Sequence, residues 1–179
     1  MSQNNVASAY AQAIFELAEE NDCLDDICYD LSTISGIFSS NPELIQLLNV
    51  PSLSKEEKIS VLEQVFVGYQ GILFDFICLI TERGRIGYIC EIEQIFRSLY
   101  NQKNNIEEVF VTSGVPLTDD ERCRLTVKLQ NKLKKRINLI EKIDTQLIGG
   151  LRVQYGDTLI DNSIASRIES MTRSLEAAE

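Results

Sequence analysis

The stretch Leu147-Ile-Gly-Gly-Leu-Arg-Val-Gln-Tyr-Gly-Asp-Thr-Leu-Ile-Asp-Asn-Ser-Ile164 decides the fold of the second half of this chain. Leu151, Val153 and Tyr155 alternate with polar residues, which is the period-two pattern of a half-buried strand. Gly156-Asp157 follows at once, and a glycine that comes first in a two-residue loop suits a tight hairpin because it adopts positive φ without steric cost. The stretch therefore predicts a strand, a two-residue turn, a second strand and the start of a helix.

Two features of the same stretch raise the question of chemistry. The paired glycines Gly149-Gly150 suggest a phosphate-binding loop, but they precede a strand rather than a helix, and no Gly-Lys-Ser/Thr sequence is present. Asp157 and Asp161 could share a proton or hold a magnesium ion as the carboxylate pair of an enzyme. The alternative roles are structural: a bulge or close backbone approach for the glycines, a turn residue for Asp157 and a helix cap for Asp161. We favour the structural roles.

Length and composition exclude several classes of protein. At 179 residues the chain can hold one medium domain or two small ones. It lacks both a run of about 18 apolar residues, which a membrane span needs, and the pattern of a signal peptide. We therefore expect a cytoplasmic protein. Histidine is absent, so the commonest general base and metal ligand is missing. No cofactor and no metal site are expected.

The five cysteines do not form a Cys-x-x-Cys pair, so their spacing is wrong for a zinc site. In a cytosolic chain we interpret them as small buried hydrophobic residues. They are Cys23, Cys28, Cys78, Cys90 and Cys123.

The net charge of −10 is concentrated in the first part of the chain. Residues 1–105 carry six Lys/Arg against fifteen Asp/Glu, and the first basic residue is Lys55. Because contact with phosphates needs clustered cations, this balance argues against binding of nucleic acid. It suits a partner segment that is basic, apolar or both.

Six helices are predicted in the first 105 residues, and two of them are unusually apolar. In the first helix, residues 4–20, apolar side chains cover an arc of roughly 200°, whereas an ordinary surface helix needs little more than 100°. The fifth helix, residues 72–80, is apolar almost throughout. Each helix is therefore either central in a bundle or has a second apolar face that is free to bind a partner.

The remaining helices of this part are predicted from apolar periodicity and from their start signals. Short loops between all six favour an antiparallel bundle. The second helix covers 22–39, the third opens at Asn41-Pro42, the fourth starts at the capping box Ser54–Glu57, and the sixth covers about 87–103.

After residue 105 the pattern changes to alternating strands and helices. We predict a strand at 106–112, a helix opened by the capping box Thr118–Glu121, a strand at 137–144, and the hairpin and helix start described above. The last helix is predicted to bear Ile164, Ile168, Met171 and Leu175. Lys132, Lys134, Lys135 and Arg136 are predicted to form a solvated last turn of the long helix rather than an anion site.

The fold class that follows is α+β and predominantly helical. We predict a six-helix bundle in residues 1–105 and a small α/β domain in residues 106–179.

Three segments taken together resemble the delta subunit of bacterial F-type ATP synthase, a relative of the mitochondrial oligomycin-sensitivity-conferring protein. They are Tyr10-Ala-Gln-Ala-Ile-Phe-Glu-Leu-Ala18, Glu82-Arg-Gly-Arg-Ile86 and the stretch from Ile148 to Ser163. The resemblance covers essentially the full length. Asn162 stands where a glycine is common in the family, and asparagine also tolerates unusual backbone angles.

The resemblance implies a non-catalytic stator subunit, present in one copy per complex, that supports rotary, proton-driven ATP synthesis. The first domain would bind N-terminal helices of alpha subunits of the catalytic head, and the second would bind the C-terminal ends of b subunits of the peripheral stalk. The chain would lie at the cytoplasmic face of the bacterial plasma membrane, attached only through the complex. The family's alpha-binding groove matches Tyr10, Ala13 and Ile14 on the first helix and Ile77 and Leu79 on the fifth.

Two other hypotheses stay open from the residues alone. One is the enzyme based on the carboxylate pair of the final stretch. The other is an adaptor in some other helical complex, because a fold does not by itself determine a function.

Overall fold

The computed structural model describes residues 3–50, 53–66, 71–147, 149–164, 166 and 168. Within these residues the chain is mostly helical and has a small four-stranded sheet in its second part, as predicted, and the structure shows that this sheet is mixed. It divides into two compact units, residues 1–100 and 101–179. The six-helix bundle and the border at residue 105 remain predictions.

The helices of the first part lie close to their predicted positions. A short 3-10 helix, Ile86–Tyr88, comes before the last of them. The α-helices are α1 Gln3–Glu20, α2 Leu24–Ser40, α3 Pro42–Asn49, α4 Lys55–Val65, α5 Ile72–Glu82 and α6 Ile89–Lys103.

Local signals account for where these helices begin and end. The capping box that starts α4 is confirmed: the Glu57 N–H donates to Ser54 Oγ at 3.2 Å, and the Ser54 N–H donates to Glu57 Oε2 at 2.8 Å. At the end of α5, Gly84 adopts a φ of +64°. Its N–H donates to the Thr81 carbonyl and the next N–H donates to Ile80, which is the Schellman arrangement.

The core of the first unit is apolar and draws on every helix of that unit. Among the described residues of this unit, nineteen hydrophobic side chains form one buried cluster. Aromatic pairs lie within it, such as Phe15 with Phe96 at a centroid distance of 5.6 Å. The largest fully buried side chains include Phe38, Phe66, Phe96, Ile14, Leu31 and Ile34.

The second unit is built on the sheet. Its elements are β1 Ile106–Ser113, α7 Asp119–Leu133, β2 Arg136–Ile143, β3 Leu151–Tyr155 and β4 Thr158–Asp161. The strand order is β2-β1-β3-β4, with β1 parallel to β2 and the other pairs antiparallel. Helix α7 covers one face, where Leu129 packs with Val109, Val111 and Val153.

Strands β3 and β4 form the predicted hairpin. Tyr155 pairs with Thr158 across a two-residue turn in which Gly156 has a φ of +50°. Gly150 makes the predicted close backbone approach: its φ is +89°, and a Cβ there would lie 2.8 Å from Ser163 Cα and within contact distance of the Asn162 carbonyl. The Ser163 hydroxyl accepts from the Ser166 N–H at 3.2 Å, as a helix cap does.

One sequence prediction for the second unit is wrong in part, and another is only partly covered by the described residues. Of the basic cluster, only Lys132 lies in the last turn of α7, because Lys134 adopts left-handed geometry with a φ of 55° and ends the helix, and Arg136 already begins β2. Lys135 is bound to Glu107 at 2.7 Å. In the predicted final helix, Met171 and Leu175 lie outside the described residues.

The cysteines are less buried than their sequence context indicated. Cys23, Cys28, Cys78 and Cys90 are half-buried, and Cys123 is exposed on α7. The reason at Cys123 is that α7 buries only the stripe that faces the sheet.

Candidate partner-binding surface

Helix α1 uses its wide apolar arc for two separate purposes. Ala7, Ala11, Ile14 and Ala18 are fully buried and face the core. A second stripe, spaced by four, three and four residues, runs beside the first and reaches the surface. It consists of Val6, Tyr10, Ala13 and Leu17, and Leu17 is 45% exposed.

Helix α5 has the same division. Leu73, Ile77 and Ile80 are buried in the core. Leu79 is 46% exposed, although the helix around it is apolar. A large hydrophobic side chain at the surface needs an explanation only when it belongs to a patch. Leu79 belongs to such a patch, because the second apolar stripe of α1 lies beside α5.

The two stripes meet at an aromatic contact. Tyr10 of α1 and Phe76 of α5 form an edge-on pair with centroids 6.3 Å apart and planes at 69°. Leu79 follows Phe76 by three residues and Leu17 follows Tyr10 by seven, so both lie on the same sides of their helices as this contact. We call Tyr10, Ala13, Leu17 and Leu79 the α1–α5 surface, and Phe76, which is only 6% exposed, belongs to the core beneath it.

The five residues predicted for partner binding fall into two groups. Tyr10, Ala13 and Leu79 lie at the surface, whereas Ile14 and Ile77 are fully buried in the core. In this structure the latter two therefore support the surface from below, and a direct contact by them stays an untested prediction.

Sequence reasoning missed Leu17 as a member of this surface and Phe76 as the buried ring that packs against Tyr10 beneath it. The signal for Leu17 was available, since it continues the steps from Tyr10 and Ala13 along one side of the helix. No comparable signal existed for Phe76, because α5 is apolar on nearly every side.

Acidic side chains border the α1–α5 surface. Glu20 follows Leu17 by three residues on α1, and Asp75 and Glu82 lie one turn before and after Leu79 on α5; all three are exposed. Two cations lie there as well. Arg83 is exposed and follows Leu79 by four residues, and Lys55 Nζ lies 3.5 Å from Glu82, although the Lys55 side chain is largely exposed and such a pair contributes little. The surface is therefore apolar with a rim that is more acidic than basic.

The alternative site, the carboxylate pair of the final stretch, is occupied by structural contacts. Asp161 accepts from the Ser163 N–H at 2.9 Å and from Arg152 at 3.1 Å. Hydrogen bonds from Ser163, together with the Arg152 guanidinium, lower the pKa of Asp161, so its carboxylate does not hold a proton to share. Asp157 lies in the exposed hairpin turn. Among the residues that the structure describes, no three Cys, Asp or Glu side chains are grouped as metal ligands.

Comparison with known proteins identifies relatives of this chain by sequence and by fold. The model of the ATP synthase delta (OSCP) subunit family matches residues 6–175. The chain belongs to this family. It is 36% identical over 177 residues to the ATP synthase subunit delta of Halalkalibacterium halodurans, covering 98% of this chain and 97% of that one. The subunit delta of Clostridium perfringens is 36% identical over 163 residues, covering 90% and 91%.

A solved structure shares the fold of this delta-family chain. It is part of the mitochondrial ATP synthase hexamer of Toxoplasma gondii, with a TM-score of 0.69, 19% identity and coverage of 98% of both chains. In the described part of the chain, every helix is too short or too polar to cross a membrane.

Proposed function

We propose that this chain is the non-catalytic stator subunit that joins the catalytic head of an F-type ATP synthase to its peripheral stalk. The first unit, a six-helix bundle, binds N-terminal helices of alpha subunits, and the second unit binds the C-terminal ends of b subunits. One copy serves each complex, at the cytoplasmic face of the bacterial membrane. The observation that carries the proposal is the exposed apolar α1–α5 surface in a chain of the delta family.

The shape and charge of this surface suit an amphipathic helix. A helix laid into a groove inserts side chains at positions i, i+3 or i+4, and i+7, and the seam between α1 and α5 offers leucines on both sides for such anchors. The acidic rim formed by Glu20, Asp75 and Glu82 favours basic residues along the flanks of the partner helix. The expected partner segment is thus apolar on one side and basic beside it.

The proposed role needs slow dissociation rather than chemistry. A stator subunit resists torque, so its partners must stay bound while the rotor turns. Differences in affinity between related complexes lie mostly in the dissociation rate, and buried apolar anchors at the centre of an interface contribute most of the binding energy. Leu17, Leu79 and Tyr10 are the anchors that this surface offers.

The direct test measures binding of a labelled peptide from the N-terminus of the alpha subunit to the full chain. We expect Leu17→Asp and Leu79→Asp each to weaken binding by about 2 kcal/mol or more, because they place a charge in the desolvated centre. Tyr10→Asp should also uncouple ATP synthesis in the whole complex. Leu47→Asp is the matched control, since Leu47 lies on α3 and is 43% exposed.

The proposal would be refuted if the alpha-subunit peptide does not bind and the complex that carries Tyr10→Asp still shows normal coupled ATP synthesis. The competing hypothesis is an adaptor in another helical complex. Purifying the native complex and identifying the neighbours of this chain decides between the two, because only the first predicts alpha and b subunits.

A further inference from the structure

The sheet of the second unit has one face that α7 does not cover. Side chains alternate across a strand, and the β1 residues Val109 and Val111 point to α7. Phe110, between them, therefore points to the opposite side and is 46% exposed. We call this opposite side the open face.

A row of four side chains, apolar except for Gln154, crosses the open face from one edge strand to the other. Phe110 pairs with Ile140 of β2 and with Gln154 of β3, and Gln154 pairs with Leu159 of β4. Leu159 is 57% exposed and Ile140 is half-buried. Four strands spaced by about 4.8 Å make this row about 14 Å long. That length matches roughly ten residues of a helix, with anchors on three successive turns.

Positive charge borders this row at its β2 end. Arg136 and Lys142 belong to β2, lie on the same face as Ile140 and are exposed. Neither forms an ion pair within the described part of the chain. Arg152 is already bound to Asp161 on this face, at 3.1 Å. Because Arg136 precedes Ile140 and Lys142 follows it along β2, these unpaired cations favour acidic residues on both flanks of whatever binds, at the end that adjoins β2.

We infer that the open face binds one helix of the peripheral stalk, laid across the strands, with its apolar stripe on Phe110, Ile140 and Leu159 and acidic residues facing Arg136 and Lys142. The inference rests on the proposed function, which supplies the b subunit as the partner. It adds the face, the direction of the helix across the strands and the charge of its flanks.

The apolar part is tested with the full-length chain and a soluble fragment that contains the C-terminal half of the b subunit. Phe110→Thr combined with Leu159→Thr should weaken binding about tenfold or more. Threonine keeps the preference for a strand, so the sheet is retained. The matched control is Ile143→Thr on β2, because Ile143 is 53% exposed but lies on the α7 side of the sheet; binding should stay within about twofold.

The charged part has its own pair of variants. Arg136→Glu with Lys142→Glu should slow association severalfold and weaken its dependence on salt. Arg124→Glu with Lys128→Glu makes the same change of charge on the outer side of α7, where both residues are exposed. This control should leave the association rate closer to that of the unchanged chain.

Several results would overturn the inference. If the b fragment binds all variants equally, the open face is not its site, while the proposed function stands. The same holds if the alpha peptide binds but the b fragment does not bind the unchanged chain. A thermal unfolding midpoint that falls in parallel with binding in the threonine variant would mean that the chain covers this face itself. If neither the b fragment nor the alpha peptide binds the unchanged chain, the proposed function fails as well.

Discussion

The two units are stabilised by different means. In the described residues the first unit buries a cluster of nineteen hydrophobic side chains, whereas the corresponding cluster of the second unit has four. The second unit depends more on its sheet hydrogen bonds, a capping box, a glycine contact and ion pairs such as Lys135 with Glu107. Loss of apolar area should therefore matter most in the first unit, and loss of backbone or polar geometry in the second.

The two units also differ in the surfaces that they leave free. The α1–α5 surface has an acidic rim, and the open face has the cations Arg136 and Lys142 beside it. Opposite rims favour different partners, since juxtaposed like charges are costly at an interface. Under the proposed function, this difference helps to keep the two partners from exchanging sites.

The largest expected effect comes from opening the core of the first unit. Phe96→Ala removes a fully buried ring that packs against Phe15, so the free energy of unfolding should fall by about 3–5 kcal/mol. Urea unfolding measures the loss, and hydrogen exchange followed by mass spectrometry locates it. Leu79→Ala, at an exposed site, should change stability by less than about 0.5 kcal/mol. An equal loss of protection from hydrogen exchange in residues 101–179 would contradict the difference between the units, because the two units would then unfold together.

A glycine contact is the most sensitive point of the second unit. Gly150→Ala forces a Cβ onto the Asn162 carbonyl at a φ of +89°, and we expect it to cost about 1–3 kcal/mol. Gly36→Ala is the opposite case: Gly36 lies inside α2 with no atom within 4 Å of a new Cβ, so it should stabilise by up to about 1 kcal/mol. Both are measured by urea unfolding. If Gly150→Ala leaves the free energy of unfolding unchanged, the close backbone approach of residue 150 to Asn162 is not required for stability.

The capping boxes allow the same change to be made in each unit. Thr118→Ala removes the hydroxyl that accepts from the Glu121 N–H at 3.3 Å, and Ser54→Ala does the same for Glu57. Each should cost about 1 kcal/mol. In thermal unfolding followed by hydrogen exchange, we expect Thr118→Ala to raise exchange over more of its unit, because fewer buried contacts compensate there. The reverse result would contradict the proposed difference between the units.

The smallest expected effect is a dependence of the free energy of unfolding on pH. Hydrogen bonds from Thr118 lower the pKa of Glu121, so the ionised group stabilises the fold above its unfolded pKa of about 4.3. That contribution disappears as the pH falls through the lower, folded pKa. Glu121→Gln keeps a capping amide, so the variant should be less stable than the unchanged chain near pH 7 and approach it below pH ~4. A stability difference that is constant with pH would refute this origin.

Much of the local structure was predictable because it depends on neighbours along the chain. The capping boxes at Ser54 and Thr118 and the turn at Gly156 each involve atoms within three residues of one another. The end of α7 was predicted less well. Lys134 ends the helix in left-handed geometry because β2 must start two residues later to pair with β1, and that pairing involves residues about thirty positions away.

The candidate site was predictable only in outline. The width of the apolar arc on α1 and the uniform apolarity of α5 showed that these helices have more apolar surface than a core needs. They did not show which members face outward: Ile14 and Ile77 are buried, whereas Leu17 reaches the surface. A periodic pattern identifies the side of a helix only when the remaining sides are polar.

By itself, the sequence determined the order of elements, their turns and caps, and the surplus of apolar surface on two helices. These follow from backbone conformation and from contacts a few residues apart. Only the tertiary structure decided which stripe of α1 and α5 reaches the surface, that β1 runs parallel to β2, and that α7 covers one face of the sheet and leaves Phe110 on the other. Those outcomes depend on how distant segments compete to bury the same apolar area, and that competition is settled only when the helices and strands pack.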